Sequence, residues 1–372
     1  MTTIETKDNI KHADFAELAD RLDSSENIRS LDPAGMYDKI YHFPQQLEQA
    51  VEIGGRIELP AEFGRNFRSL IVAGMGGSAI GGDLVRSYLS DRLRIPFVVC
   101  RNYRLPDFVD ENSLVIVSSY SGNTEETLAA FDDATKRGAT IACITTGGEL
   151  GKLAQRHKLL LVKLPEGYQP RAALGFSFVP LLILISKMGL VGSVDDDLKE
   201  LIRGLKSYRD TYSTETGADK NPAKLLAIKL YNRIPIIYTG PELTDVVGTR
   251  WKGQICENAK ALAFNNQFPE FNHNELVGWN VIEACRDKLV VLCLRDGDDH
   301  DRVQLRMSIV RDIIDKLHVE VINVLSQGDF ALGRMFSLIQ LGDFTSFYLA
   351  VLNKVDPSPV KVIDYLKEEL KK

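Results

Sequence analysis

The stretch Ser69-Leu70-Ile71-Val72-Ala73-Gly74-Met75-Gly76-Gly77-Ser78-Ala79-Ile80-Gly81-Gly82-Asp83 decides how the chain is read. An apolar run passes through glycines directly into a helical pattern. A buried strand feeding a helix N-terminus leaves unpaired backbone N–H groups there, and these attract an anion. The pattern returns at Leu114-Val115-Ile116-Val117, followed by Ser118-Ser119-Tyr120-Ser121-Gly122-Asn123-Thr124-Glu125-Glu126-Thr127. This second loop carries hydroxyls on Ser118, Ser119, Ser121 and Thr124, which can donate to phosphate oxygens without a buried cation. Glycines at such turns can also serve strand-to-helix packing alone. Two of these loops in one expected sheet, the second rich in hydroxyls, point instead to a phosphorylated small molecule.

Outward from these loops, strand-like runs recur at Phe97–Cys100, Thr140–Ile144 and Leu159–Val162. Helical patterns at Ser78–Leu89, Thr124–Lys136, Leu150–Arg156 and Leu174–Met188 separate or follow the runs. Apolar strands alternating with helices predict an α/β fold with a parallel sheet covered on both faces. A second series begins with a helix at Ala223–Tyr231 and a strand at Pro235–Tyr238. It continues with helix Thr244–Ala261, strand Leu289–Leu294, helix Arg302–Leu317 and strand Glu320–Val324, then two closing helices, Phe330–Leu352 and Pro359–Leu370. Val72-Ala73-Gly74 corresponds to Tyr238-Thr239-Gly240, so the halves read as a duplicated architecture. The expected divisions are an N-terminal helical segment at 1–50, a first domain at 51–190, a linker at 191–220 and a second domain at 221–372.

The 372 residues have room for about two domains. With 44% hydrophobic and 26% charged residues the composition is that of a soluble globular protein. A net charge of −6 argues against a nucleic-acid or anionic-membrane partner, so an anionic ligand must be drawn by local dipoles. Cys100, Cys143, Cys256, Cys285 and Cys293 form no C-x-x-C pair, which suits reduced thiols in the cytoplasm. The charged Met1–Asp14 stretch shows no signal peptide, and the longest apolar run, Phe178–Ile185, is too short to span a membrane.

Gly74 to Ala79 also fits the dinucleotide pattern G-x-G-x-x-A. That reading wants an acidic residue ending the next strand, where Cys100-Arg101 stands; Arg101 would have to greet a 2′-phosphate instead. No Walker lysine motif, metal-ligand spacing or G-x-S-x-G elbow is present. The densest polar cluster of the second half runs from Arg250 to Trp279. Glu257 lies among Cys256, Ala259 and Ala261 and is either a solvated helix glutamate or a partly desolvated base suited to proton abstraction beside a carbonyl. His273, between Asn272 and Asn274, is either a loop histidine or a fixed acid–base group. With a phosphate cradle, these two groups allow ring opening by the histidine and proton transfer between C1 and C2 by the carboxylate, through a cis-enediol. Arg171, in a turn preceding a helix, is placed to stabilise an enediolate. Such chemistry requires no redox cofactor and no metal.

These residues resemble the bifunctional phosphoglucose/phosphomannose isomerases, members of the sugar isomerase (SIS) domain superfamily. The resemblance covers about residues 35–372. It rests on GMGGSAIGGD at 74–83, SSYSGNTEET at 118–127, PRAALG at 170–175, KGQICENAK at 252–260, FNHNELVGW at 271–279 and VDPSPV at 355–360. It implies two SIS domains, each a mainly parallel sheet flanked by helices. It also implies a homodimer with shared active sites, acting on a small sugar phosphate to interconvert glucose 6-phosphate or mannose 6-phosphate with fructose 6-phosphate. By the same resemblance, Gly77, Ser78, Ser119, Ser121 and Thr124 hold the phosphate and Glu257 is the base. His273, reaching in from the neighbouring subunit, opens the ring with help from Lys354, Arg171 steadies the enediolate, and Thr345 permits both C2 epimers. Two other readings stay open. A non-catalytic sugar-phosphate sensor would need the 118–124 loop but not Glu257, and would carry a basic DNA-binding segment that the acidic N-terminal region does not show. An isomerase part of a glucosamine-6-phosphate synthase would need an N-terminal cysteine, and Met1-Thr2-Thr3 offers none.

Overall fold

A computed structural model describes residues 4–5, 12–64 and 66–370, so most of the charged Met1–Asp14 stretch lies outside the described residues. Among these, ten strands are found: β1 (Ile4–Glu5), β2 (Ser69–Ala73), β3 (Phe97–Cys100), β4 (Ser113–Ser118), β5 (Thr140–Thr145), β6 (Leu160–Lys163), β7 (Ile234–Thr239), β8 (Phe264–Gln267), β9 (Leu289–Arg295) and β10 (Glu320–Leu325). They form two five-stranded sheets in the orders β3-β2-β4-β5-β6 and β1-β10-β9-β7-β8. The first is parallel throughout. The second is parallel except for β1, which runs antiparallel along β10. The duplication expected from the sequence is visible in the strand order: β3-β2-β4-β5 in one sheet corresponds to β8-β7-β9-β10 in the other.

The chain divides into two compact units. His42–Arg203 holds the first sheet; Met1–Tyr41 together with Gly204–Lys372 holds the second. Of the expected N-terminal helical segment, the described residues up to 41 group with the second sheet. Their apolar side chains Leu22, Ile28, Met36 and Ile40 are buried. Tyr37 packs its ring against Phe344 and Phe347, and the fully buried Lys224 donates to Asp23 at 2.8 Å. The stretch read as a linker contains the Asp195–Arg209 helix, and the division between units falls inside it.

β2, β4 and β5 are buried at every position, as expected of strands sheathed by helices on both faces. In the second unit the 22-residue Ala331–Leu352 helix is long and apolar enough to cross a membrane by length and composition, but it is packed inside the unit. The Thr244–Ala259 helix lies against it through polar contacts made wholly out of water. Arg250 and Gln254 reach Asp343 at 2.6 and 2.9 Å, Asn258 donates to Ser346 at 2.9 Å, and the Trp251 indole donates to the Leu338 carbonyl at 2.9 Å. Satisfied contacts of this kind fix the register of two helices more tightly than apolar packing alone. They also fix where Glu257, on the next turn, points.

Trp251 lies so close to Gly342 that a Cβ there would overlap the indole. Gly342→Ala therefore destabilises the protein by roughly 1–3 kcal/mol, read by denaturant unfolding. Gly253→Ala, on the same helix but with open space around it, is close to neutral. Equal effects of the two would show that the contact does not set the helix spacing.

Candidate functional site

In the first unit β2 has β3 on one side and β4 on the other, so the connections leave it in opposite directions. A crevice opens at such a reversal, beyond the carboxyl ends of the strands, where open α/β sheets bind ligands. The helices Gly76–Tyr88 and Glu125–Lys136 begin at this edge, and neither N-cap side chain bonds back to its own helix. Their first N–H groups thus face the crevice without a side-chain cap. Thr124, at one cap, shares a hydrogen bond with Ser119 instead, Oγ to Oγ at 3.0 Å. Ser119 Oγ also accepts from the Gly122 amide at 3.1 Å, and Ser78 Oγ accepts from the Tyr120 amide at 3.2 Å, which ties the two glycine loops together. Ser121 is exposed, its hydroxyl accepting from the Asn123 amide at 3.3 Å. The second loop is braced from behind: Thr146 Oγ1 donates to the Tyr120 carbonyl at 2.8 Å, and Asn123 Oδ1 accepts from the Glu149 amide at 3.0 Å.

Gly77 has no room for a side chain, because the Pro170 carbonyl occupies the place of a Cβ. That contact sets the Pro170–Ala172 turn beside the two glycine loops and brings Arg171, only 4% exposed, into the same neighbourhood. Six of the residues singled out in the sequence, Gly77, Ser78, Ser119, Ser121, Thr124 and Arg171, are therefore clustered at one sheet edge. Arg101, the residue a 2′-phosphate would need, is ion-paired with Asp83.

The corresponding reversal in the second unit is built differently. The Asp299 carboxylate lies over Gly240 and accepts from the Asp296 amide at 2.9 Å. Asp296 in turn receives Ser326 at 2.6 Å and Arg334 at 3.0 Å. Carboxylates stand where the first unit has hydroxyls, so this edge repels a phosphate. Among the described residues, no group of three or more His, Cys, Asp or Glu side chains is arranged to hold a metal ion.

Glu257 sits half-buried near the end of the Thr244–Ala259 helix and lines a cavity of about 600 Å³. Cys256 and Lys260 line it beside Glu257; the opposite wall comes from Val355, Asp356 and the start of the Lys361–Glu369 helix. Thr345 is fully buried, its hydroxyl lacks a hydrogen-bond partner, and it does not line this cavity. Lys354 is exposed in a left-handed conformation, adjoining the wall only through Val355. Asp356 and Lys361 were missed as wall residues; the VDPSPV motif, which they occupy and follow, was the signal available.

His273 and Glu257 lie at opposite edges of the second sheet. Gly248 packs on Thr239, the last residue of β7. From there the helix runs back along the strand, and the nine residues to Glu257 rise roughly 13 Å. His273 is exposed and closes the turn whose Phe271 stacks on Tyr238 at 4.0 Å, at the carboxyl end of β7. Burial pushes the Cys143 and Cys293 thiols up to about 12, so neither is a nucleophile near neutral pH.

Burial, with Asp296 and Asp298 nearby, pushes the Asp299 carboxyl up to about 6. The folded protein therefore holds this proton more tightly than the unfolded chain, whose carboxylates titrate near about 4. The group's stabilising contribution is complete below that range and is lost as pH rises through about 6. Relative to wild type, Asp299→Asn gains on the order of 1–3 kcal/mol between pH 4 and pH 7.5, measured by melting across that range. A difference independent of pH would show that Asp299 is not the titrating group.

Two family models match the chain: the SIS domain over residues 65–186 and the bacterial phospho-glucose isomerase C-terminal SIS domain over residues 219–370. A bifunctional phosphoglucose/phosphomannose isomerase of Caldicellulosiruptor bescii is 46% identical over 335 residues, covering 90% of this chain and 98% of that protein. One from Aquifex aeolicus is 39% identical over 307 residues, covering 82% and 91%. Among solved structures, a hypothetical protein from Thermus thermophilus superposes with a TM-score of 0.73 at 15% identity, covering 99% of both chains. A glucose-6-phosphate isomerase from Chlamydia trachomatis superposes with a TM-score of 0.63 at 12% identity, over 89% of this chain and 73% of that one. At such identities these structures speak for the fold alone. The two domain matches and the relatives aligned along most of their length make this chain a member of the bifunctional phosphoglucose/phosphomannose isomerase family.

Proposed function

We propose that the protein is an aldose–ketose isomerase that interconverts glucose 6-phosphate and mannose 6-phosphate with fructose 6-phosphate. The observation that carries the reading is the cluster of uncapped helix starts and hydroxyls between β2 and β4, in a chain of this family. Gly77, Ser78, Ser119, Ser121 and Thr124 take the phosphate, whose oxygens meet backbone N–H groups and hydroxyl donors. His273 moves the proton that opens the sugar ring, with Lys354 assisting. Glu257 then carries a proton between C1 and C2 through the cis-enediol. Arg171, a permanent cation kept from water, faces the negative charge that develops on the enediolate oxygen. Proton transfer between neighbouring carbons calls for no redox cofactor.

Thr345 lies one residue from Ser346, which holds the helix carrying Glu257 through Asn258. Its part in tolerating both C2 epimers is thus to shape the wall from behind. The separation of Glu257 from His273 across one sheet supports a homodimer in which each catalytic set draws its histidine from the partner. The five free cysteines, of which Cys100, Cys143 and Cys293 are buried, suit a cytoplasmic enzyme.

With fructose 6-phosphate in D2O and no nucleotide or metal added, the protein yields both aldose phosphates with deuterium at C2, read by NMR. Glu257→Gln lowers kcat and the deuterium incorporation together by roughly 10²–10⁴-fold while KM changes little. Full retention of exchange would remove Glu257 from the proton transfer. Ser119→Ala combined with Thr124→Ala raises KM by about one to two orders of magnitude with a smaller change in kcat. An unchanged KM would mean that the phosphate binds elsewhere.

A further inference from the structure

We propose that Tyr238 is a positioning residue for His273: a strand side chain that grips the loop on both sides of the histidine, with Glu275 as its counterpart in the loop. The inference rests on the ring-opening role given above to His273, and it names what holds that histidine in place.

Tyr238 is buried near the carboxyl end of β7, a strand paired on both sides, by β8 and β9. Such a strand belongs to the part of a fold that opens least. The Tyr238 ring stacks on Phe271 at 4.0 Å, two residues before His273. Its hydroxyl donates to Glu275 Oε1 at 2.6 Å, two residues after His273. The histidine, itself exposed, is therefore suspended between two contacts to one side chain of the sheet.

The polar side of this grip is closed on itself. The Trp279 indole donates to the Tyr238 oxygen at 2.9 Å. Asn266, which faces Tyr238 in register on β8, donates its side-chain amide to Glu275 Oε2 at 2.6 Å. The phenol, the indole N–H and both Glu275 oxygens are thus all partnered, as buried tyrosine and tryptophan require. Burial and the bond to Glu275 hold the Tyr238 phenol above its ordinary range, so the hydroxyl stays a donor at neutral pH. A tyrosine that served packing alone would need no acceptor on the loop, since phenylalanine fills the same space. The two neighbours of His273 are tied as well. Arg306 donates to Asn272 Oδ1 at 3.4 Å, and Asn274 Oδ1 accepts from the Glu275 amide at 2.6 Å. Glu275 and Trp279 belong to the FNHNELVGW motif, and this cluster gives them a task that substrate contact does not. A group that moves a proton must be held close to its working geometry, and a misplacement of about 1 Å can lower a rate by about a hundredfold.

The experiment uses the full chain in a Glu257→Gln background, where ring opening is followed by itself as the anomerisation of glucose 6-phosphate, read by exchange NMR. Adding His273→Ala is expected to abolish the enzyme-dependent rate. Tyr238→Phe keeps the stack on Phe271 and removes only the hydroxyl; Glu275→Ala removes its acceptor. Each is expected to lower the saturated rate roughly ten- to a hundredfold, with half-saturation changed by less than about twofold. Glu275→Gln keeps an acceptor for Tyr238 and is expected to restore most of the rate. The imidazole Cε1–H signal of His273, assigned by its loss in His273→Ala, is expected to broaden in Tyr238→Phe while circular dichroism stays native. Anomerisation that survives His273→Ala would remove the histidine's role and this proposal with it. Abolition by His273→Ala beside unchanged rates in Tyr238→Phe and Glu275→Ala would leave that role standing and overturn the proposal. A Glu275→Gln rate as low as that of Glu275→Ala would assign the effect to the charge, and a slowed Tyr238→Phe with an unaltered His273 signal would assign it to general stability; either overturns positioning.

Discussion

The reversal of strand order beside β2 is the constraint on which the rest depends. It sends one connection to β3 and the other past β2 to β4, so the carboxyl ends of two buried strands part where two helices begin. Backbone N–H groups at those starts cannot be paired within the helices, and neither N-cap side chain, Met75 or Thr124, bonds back to them. Thr124 bonds Ser119, and Ser78 bonds the second loop, so the hydroxyls are held in place before a ligand arrives. An anion entering there meets oriented dipoles and spends little on reorganisation. The overall charge of −6 does not oppose this, because the attraction is confined to the first turn of each helix.

Duplication gave the second sheet the same reversal, and the contrast between the two edges shows that topology alone does not make a phosphate site. At β7 the loop equivalent is held by Asp296 and Asp299, with Arg334 and Ser326 satisfying the charges. Burial raises the Asp299 pKa to about 6 at that position. On the proposed reading, one copy of the motif keeps an anion-binding edge. The other has been closed, and its unit carries Glu257 at the far end of the first helix after the reversal. Function within a fold of this kind lies in which residues occupy the turns, not in the turns themselves.

How much of this was legible in the sequence follows from burial. β2, β4 and β5 read as strands because a strand buried on both faces is a continuous apolar run. β8, Phe264-Asn265-Asn266-Gln267, was invisible for the opposite reason. It is an edge strand whose Asn265 and Asn266 bond Thr249 and Glu275, and it has no apolar period. That the 74–83 and 118–127 loops lie together was legible because glycine and hydroxyl spacing is local. Thr345 and Lys354 were harder to place, since the Ala331–Leu352 helix is buried on nearly all sides and its sequence does not say which face meets what. Contacts such as Arg250 to Asp343, which are far apart in sequence, decide that phase, and no local pattern announces them. For the same reason the attachment of residues up to 41 to the second sheet could not be read from their own composition.

The position of Glu257 ties these threads to assembly. A base at one edge and a histidine at the other edge of the same rigid sheet cannot meet by side-chain rotation, because roughly 13 Å of helix separates their levels. The proposed roles therefore draw the histidine from a second copy. On the proposed reading assembly and catalysis share one cause: the fold separates Glu257 from His273, and a two-fold dimer would return them to each other.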